Sequence, residues 1–307
     1  MANHGKTLIT GGTGLVGSAF PNNSSYIKLS SKDADLRIQK ESDRVIKMHN
    51  PDNVIHCAAK VGGVGYNILS NSDFFLDNVK ININVLESCR LLGVKKVLSF
   101  LSTCIFPANV QYPLTERKIY LGEPHYSNYG YAYAKRMLAV QTKLYRDQFN
   151  LDYTCVIPTN IYGPNDNFNL KTGHVIPSLI HKCFIAKKTN SNFLVWGDGK
   201  SLREFIFSSD VYNITEWLVE NYKGANPIIL SSSEEISIEY LVEVIAKSMN
   251  FNGKITFDAS KPAGLFRKPT DNSNLKRHLP EYKFINIEDG IQKTVEWFIK
   301  NYEFARK

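Results

Sequence analysis

The first half of the chain alternates short apolar runs with longer segments whose apolar residues recur every three or four positions. The short runs, at 6–10, 26–29, 53–57, 96–101 and 153–157, are rich in Val, Ile and Leu and read as strands. Between them the helical spacing predicts a short helix after residue 10 and a helix over 37–49 stopped by Pro51. A long amphipathic helix over 74–92 ends at Gly93, and another covers 130–149. A glycine-rich loop with Gly62, Gly63 and Gly65 follows the third strand. Such alternation predicts an α/β fold: a Rossmann-type, doubly wound parallel sheet covered on both faces.

Beyond Pro164 the pattern loosens. Short strands at 193–196, 228–230 and 254–257 mix with helices near Val175, Ile214, Ile238 and Ile287. A smaller α/β lobe is expected here. The division is placed at 1–164 and 165–307, with the second part partly interleaved with the sheet. No internal repeat or linker interrupts the chain.

Composition narrows the function classes. With 307 residues, 43% hydrophobic and 21% charged, the chain can bury an ample core. The net charge of +8 comes from scattered basic residues without a nucleic-acid motif, so an anionic small molecule is the better beneficiary and no nucleic-acid partner is expected. The five cysteines (Cys57, Cys89, Cys104, Cys155, Cys183) lack CxxC or Cys/His spacing. Free thiols in a reducing compartment follow, with no metal. Leu8-Ile9-Thr10 breaks at once into glycines, as a first strand does and a signal peptide does not. No apolar run approaches the roughly 18 residues of a membrane helix. A soluble, cytoplasmic protein that does not bind membranes is expected.

Candidate chemistry begins at the first strand-to-helix turn. Gly11, Gly12, Thr13, Gly14, Leu15, Val16 and Gly17 form Gly-x-x-Gly-x-x-Gly after Thr10. Glycines there permit a tight turn and bring backbone N–H groups and a helix N-terminus to a pyrophosphate. At the end of the second strand an NAD site would carry an acid. Here Ser30, Ser31 and Lys32 precede Asp33, a pattern suited to a 2′-phosphate and hence to NADPH/NADP.

A second constellation is Ser102-Thr103-Cys104 with Tyr131 and Lys135. The Tyr-x-x-x-Lys spacing puts both side chains on one helical face. An ammonium beside a phenol favours phenolate, so Tyr131 is expected to titrate below its usual value of about 10 and to exchange a proton with a carbinol oxygen. Ser102 would hold the same oxygen. Cys104 is surplus to carbonyl reduction and points to proton chemistry at carbon as well. Taken alone, such a cysteine is usually packed, and a histidine such as His174 is usually structural. Tyr133 falls on another face and reads as packing, while His56 and His125 read as structural or surface.

With these motifs in order the chain resembles the extended short-chain dehydrogenase/reductases that modify nucleotide sugars. It is most similar to the GDP-L-fucose synthase family. The matching stretches include Ser30 through Leu36, Leu101 through Pro107, Tyr131 through Arg136, Ile157 through Pro164, Asp166 through Asn169, Gly173 through Pro177, and Val195-Trp196-Gly197 leading to Arg203. The resemblance implies epimerisation at C3 and C5 of GDP-4-keto-6-deoxy-D-mannose, then NADPH-dependent reduction at C4. It implies Cys104 as thiolate base and His174 as imidazolium acid for the first, and Ser102, Tyr131 and Lys135 for the second. It extends the cofactor site to Asp35, Leu36, Ala58, Ala59, Lys135, Pro158, Thr159, Asn160, Ile161 and His174. Asn160, Lys182, Trp196, Arg203 and Lys268 would bind the GDP-sugar, and Ala263 departs from an aspartate in the family pattern. A homodimer pairing the helices at 74–92 and 130–149 is implied by analogy. Two alternatives stay open: another nucleotide-sugar epimerase or 4-keto reductase, which needs no Cys104–His174 pair, and a non-catalytic NADP-binding sensor, which needs no Tyr131–Lys135 pair.

Overall fold

Leu8 and Ile9 point to opposite faces of one sheet, and the same alternation runs through its neighbours. In the computed structural model, which describes residues 5–63, 69–261 and 266–307, β1 (Thr7–Thr10) lies between β2 (Tyr26–Leu29) and β3 (Asn53–His56). Then come β4 (Lys96–Phe100), β5 (Asp152–Pro158) and, from far along the chain, β9 (Ile228–Leu230). The order is β2-β1-β3-β4-β5-β9, every pair parallel. Leu8, Val54, Val97 and Tyr153 pack in one buried cluster, while Ile9, Ile55, Leu98 and Val156 pack in another. A sheet buried on both faces needs apolar residues at successive positions, which is what these strands carry.

The first cluster is closed by α2 (Gln39–His49), α3 (Asn71–Leu91) and α4 (Tyr129–Phe149), after the short α1 (Leu15–Ala19) that follows the glycine turn. Val45, Val85, Leu86 and Leu138 supply its apolar contacts. Helices α2 and α4 stop at Asn50 and Asn150, both in the left-handed conformation, and α5 (Val175–Thr189) stops likewise at Asn190. Asparagine tolerates that region better than other side chains and ends a helix without glycine.

The lobe is built from two small sheets. In one, β6 (Asn160–Tyr162) runs parallel to β8 (Leu202–Phe207), which pairs antiparallel with β10 (Glu235–Ser237). In the other, β7 (Phe193–Trp196) pairs with β11 (Ile255–Asp258). Helices α5, α7 (Ile238–Ser248) and α9 (Ile287–Lys300) bury Ile180, Leu241, Ile291 and Phe298 against them. Between the lobe strands, α6 (Ser208–Asn221) covers the second face of the large sheet with Ile214 and Leu218. A short α8 (Ser273–His278) adds Leu275.

Two features depart from the sequence expectation. Strands β6, β8 and β10 and helix α8 carry too little periodicity to be seen in the sequence, and β6 starts just one residue after β5. Helix α3 is not amphipathic in the ordinary sense. It buries Asn78, Asn82 and Ser88, while Leu76 and Ile83 face outward. The buried amides are satisfied: Asn82 bonds His56 Nε2 at 3.1 Å and the Ala134 carbonyl at 3.3 Å, and Asn78 bonds both backbone groups of Lys60. A polar face can be buried where each group finds its partner. His56 itself is buried between Asn82 and Thr10 and is held neutral, its pKa pushed down to about 3 by burial.

The lobe hinges energetically on Phe298, fully buried and stacked on Phe168 at 4.4 Å, with His181, Phe184 and Tyr302 around it. Phe298→Ala is expected to cost about 3–5 kcal/mol of unfolding free energy. Urea titration of the variant checks this, and a loss below about 1 kcal/mol would contradict the packing account.

Candidate active site

The chain reverses strand order at β1 and β3, and the crevice at their carboxyl ends is where ligands of open α/β sheets bind. Gly11 turns there with φ +68°, and a Cβ on it would meet the Ala58 nitrogen at 2.9 Å. A Cβ on Gly12 would fall 2.6 Å from the Lys28 Cα, and one on Gly17 2.5 Å from the Gly12 Cα. The glycines therefore allow three backbone segments to close on one another. Thr13 is exposed at the tip, and Leu15 and Val16 are half-buried in α1. Ala58 donates its N–H to Thr10 Oγ1 at 3.2 Å, and Ala59 follows on the other wall.

At the end of β2, Asp33 is exposed but folds back onto Ser30. It accepts from both the N–H and the hydroxyl of Ser30 at 2.7 Å, which holds its carboxyl below the usual range. Asp35 is held by Arg37, whose Nε and second guanidinium nitrogen donate to it at 2.9 and 2.8 Å. Both acids are thus engaged within the protein, while Ser31 and Lys32 are exposed and Leu36 is buried beneath them. Arg37, not singled out from sequence, adds a cation to this edge.

Cations clamp the turn after β4. Lys135 donates Nζ to the Phe100 carbonyl at 2.7 Å, Lys268 to the Thr103 carbonyl at 2.7 Å, and Arg136 donates Nε to the Ile105 carbonyl at 2.7 Å. Within it the Cys104 N–H donates to Ser102 Oγ at 3.3 Å. Cys104 is half-buried, and burial raises its thiol pKa; the Ser102 hydroxyl and the Lys268 and Lys135 ammonium groups act the other way. Lys135 is 1% exposed, and burial lowers its pKa to about 8.

Tyr131 corrects one expectation. Its ring lies edge-on to Phe74, with Lys135 Nζ 5.9 Å from its centroid, and burial holds the phenol above its ordinary range. Desolvation of a phenolate outweighs an ammonium whose hydrogen bond goes to a backbone carbonyl. Tyr133 stacks with Tyr129 and under the Arg136 guanidinium, away from the turn.

His174 precedes α5 in extended conformation. A ladder of Asx turns holds it there. Asp166 accepts from the Asn167 N–H at 2.7 Å, Asn167 from that of Asn169 at 3.2 Å, and Asn169 from those of Lys171 and Thr172 at 2.9 and 3.0 Å. The Gly63 N–H bonds the Thr172 carbonyl at 2.9 Å, tying this ladder to the glycine loop after β3. The imidazole is solvent-accessible yet flanked by protein mass, as on a cleft wall, and desolvation lowers its pKa. Among the described residues no hydrogen bond or ion pair joins it to Cys104. Burial disfavours the charged form of each.

On the lobe, Lys182 Nζ lies 4.4 Å from the centre of the Trp196 ring, which is 55% exposed. Arg203 is lodged against the Leu202 and Phe266 carbonyls, and burial lowers its pKa. Lys268 feels both Arg203 and Cys104 electrostatically, so it links this cation set to the turn. Pro158 and Thr159 are buried where β5 meets β9, Ile161 is half-buried, and Asn160 is exposed, its amide bound to the Glu204 carbonyl at 2.8 Å. Gly65 and Ala263 lie outside the described residues. Arg136, Asp166 and Glu204 carried no sequence signal of their own, because a buried charge announces itself only through its partners.

Known proteins are similar to this chain in sequence and in fold. The sequence model of the NAD dependent epimerase/dehydratase family matches residues 7–230. A GDP-L-fucose synthase of Dictyostelium discoideum is 43% identical over 310 residues, covering 98% of this chain and 97% of that one. A GDP-L-colitose synthase of Yersinia pseudotuberculosis is 33% identical over 302 residues, covering 96% and 98%. The crystal structure of a GDP-L-fucose synthetase from Naegleria fowleri bound to NADP superposes with a TM-score of 0.95 at 41% identity, covering 100% of this chain and 96% of that one.

The ladder beneath His174 yields a pH prediction. Asp166 is 3% exposed, and burial pushes its carboxyl up to about 7. The folded state then holds a proton that the unfolded chain releases near pH 4, so stability falls as pH rises from about 4 to 7. Asp166→Asn is expected to flatten that decline, removing about 1–3 kcal/mol of pH dependence. Denaturant titrations at pH 5 and 8 test it, and an unaltered decline in the variant refutes it.

Proposed function

The chain belongs to the NAD dependent epimerase/dehydratase family, in the branch that holds the GDP-L-fucose synthases, and on that premise we propose that it converts GDP-4-keto-6-deoxy-D-mannose to GDP-L-fucose. The observation that carries this reading is Cys104 in the Ser102 turn, whose Phe100 and Thr103 carbonyls hold the Lys135 and Lys268 ammonium groups within electrostatic reach of the thiol. A plain ketone reductase has no use for that thiol.

The residues fit a dinucleotide. Without Cβ atoms at Gly11, Gly12 and Gly17 the turn packs tightly against Ala58 and Lys28, the backbone geometry that brings N–H groups and a helix N-terminus to a pyrophosphate. At the β2 end Ser31, Lys32 and Arg37 suit a 2′-phosphate, while Asp33 and Asp35 are already bonded and are poor acceptors for a free 2′-hydroxyl. NADPH bound there supplies the hydride that reduces C4.

Ser102 and Tyr131 bind the C4 oxygen, which is an enolate during epimerisation and an alkoxide during reduction. Tyr131 gives its proton to that oxygen in the reductive step, with Lys135 holding the turn and supplying positive charge. Cys104 removes the proton from C3 or C5, acidified by the ketone, and His174 delivers one to the opposite face. Lys268 and Lys135 favour the thiolate that this requires. Lys182 and Trp196 meet the guanosine end; Arg203 and Lys268 neutralise diphosphate, and Asn160 contacts the sugar.

The protein is read as a cytoplasmic homodimer. Its free cysteines suit a reducing compartment, and among the described residues no helix is long and apolar enough to cross a membrane. Leu76 and Ile83 on α3, with Met137, Val140 and Leu144 on α4, form an exposed apolar face that a second copy can cover.

The expected product of a reaction in deuterated water is GDP-L-fucose carrying deuterium at C3 and C5, with stoichiometric NADPH oxidation, read by NMR. Reduction without deuterium would favour the second reading, a 4-keto reductase. Cys104→Ser is expected to lower the yield of GDP-L-fucose by about 10²-fold or more while NADPH oxidation on the unepimerised ketone persists. An undiminished yield removes Cys104 from the mechanism.

A further inference from the structure

Glu204 lies on β8 with only 3% of its surface exposed, yet its carboxylate is fully engaged. Oε1 accepts from the Thr270 N–H at 2.8 Å; Oε2 accepts from the Thr270 hydroxyl at 2.5 Å and from the Ser231 hydroxyl at 2.8 Å. Its backbone carbonyl takes the Asn160 amide at 2.8 Å. One residue therefore joins the strand that carries Arg203, the start of β6, the end of β9, and the segment 266–272.

That segment carries Lys268. Its near end is fixed where the Leu202 N–H donates to the Phe266 carbonyl at 2.7 Å, and its far end at Thr270 by Glu204. The Pro269 carbonyl accepts from the Leu114 N–H at 2.9 Å, and the Asp271 N–H donates to the Leu114 carbonyl at 2.8 Å. Two residues before the clasp, the Lys268 ammonium reaches the Thr103 carbonyl at 2.7 Å, beside Cys104. A long cationic side chain keeps one geometry only when its backbone is held, because its rotamer freedom otherwise costs about 2 kcal/mol.

We infer that Glu204 is a positioning residue: through Thr270 it fixes the Lys268 ammonium against the Cys104 turn and thereby sets how readily that thiol ionises. The charged groups around the two ends include Arg203 beside Lys268 and Arg136 within reach of Cys104. Glu235 pairs opposite Glu204 across β8 and β10 and is itself tied to Arg267. Cys104 feels Lys268 and Lys135, with the Ser102 hydroxyl at its N–H and Tyr131 nearby. A carboxylate clasp is stronger than an amide one, because hydrogen bonds to a charged acceptor are about twice as strong as neutral ones.

The inference rests on Cys104 as the reacting thiol, but its test needs no turnover. The rate of Cys104 alkylation by iodoacetamide is measured against pH, with the modified peptide quantified by mass spectrometry. Glu204→Gln is expected to move the ionisation midpoint up by roughly 0.5 pH unit or more, in the same sense as Lys268→Met. Combining the two substitutions is expected to move it no further than Lys268→Met alone. Thr270→Val, which removes one hydroxyl from the clasp and leaves the main chain, should shift it in the same direction and serves where Glu204→Gln does not fold. A folded Glu204→Gln or Thr270→Val protein with the wild-type profile overturns the inference, as does a double variant whose shift is the sum of the two. Failure of the GDP-L-fucose assay would leave this profile untouched, so the two readings fail separately.

Discussion

The turn from Phe100 to Ile105 is the part of the molecule on which the site depends. Its carbonyls are taken by Lys135 from α4, by Lys268 from the segment before α8, and by Arg136. Each of these cations gives up hydration to reach a backbone oxygen, and the burial of Lys135 shows in its lowered pKa. Holding the turn this way brings two ammonium groups within electrostatic reach of one thiol, and among the described residues neither forms an ion pair. The contacts that support the turn are the ones that oppose the burial of the thiol.

The two halves of the molecule meet around that turn for a topological reason. The parallel sheet ends its strands in a crevice at the β1–β3 reversal; β6, α5, β7 and β8 of the lobe lie between β5 and β9 in the chain, and its β10, α7, β11 and α9 follow β9. A strand leaving β5 therefore reaches the lobe after a single residue, Thr159, whose N–H is anchored on Leu230 at 3.0 Å. His174 is tied to the loop after β3 through the Asn169 ladder and Gly63.

Resting protonation states follow from desolvation more than from charge. Cys104 and Tyr131 are raised and His174 is lowered, each by burial first. Burial thus moves the thiol and the imidazole apart in basicity, and the ammonium groups of Lys268 and Lys135 oppose it at Cys104.

The sequence by itself determined the sheet, the dinucleotide turn and the Ser102–Cys104 and Tyr131–Lys135 sets, because each depends on local spacing: alternation in strands, a glycine where no Cβ fits, one helical turn between two side chains. It determined the long helices but misjudged the face of α3, where Asn78, Asn82 and Ser88 are buried by partners distant in the chain. Only the tertiary structure decided that Lys268 meets Thr103 across a sequence separation of 165 residues, that Glu204 clasps Thr270, and that Tyr131 is raised instead of lowered. The physical reason is common to all three. Periodicity reports which face of an element is apolar, whereas the energy of a buried charge depends on which groups the fold brings within about 3 Å of it.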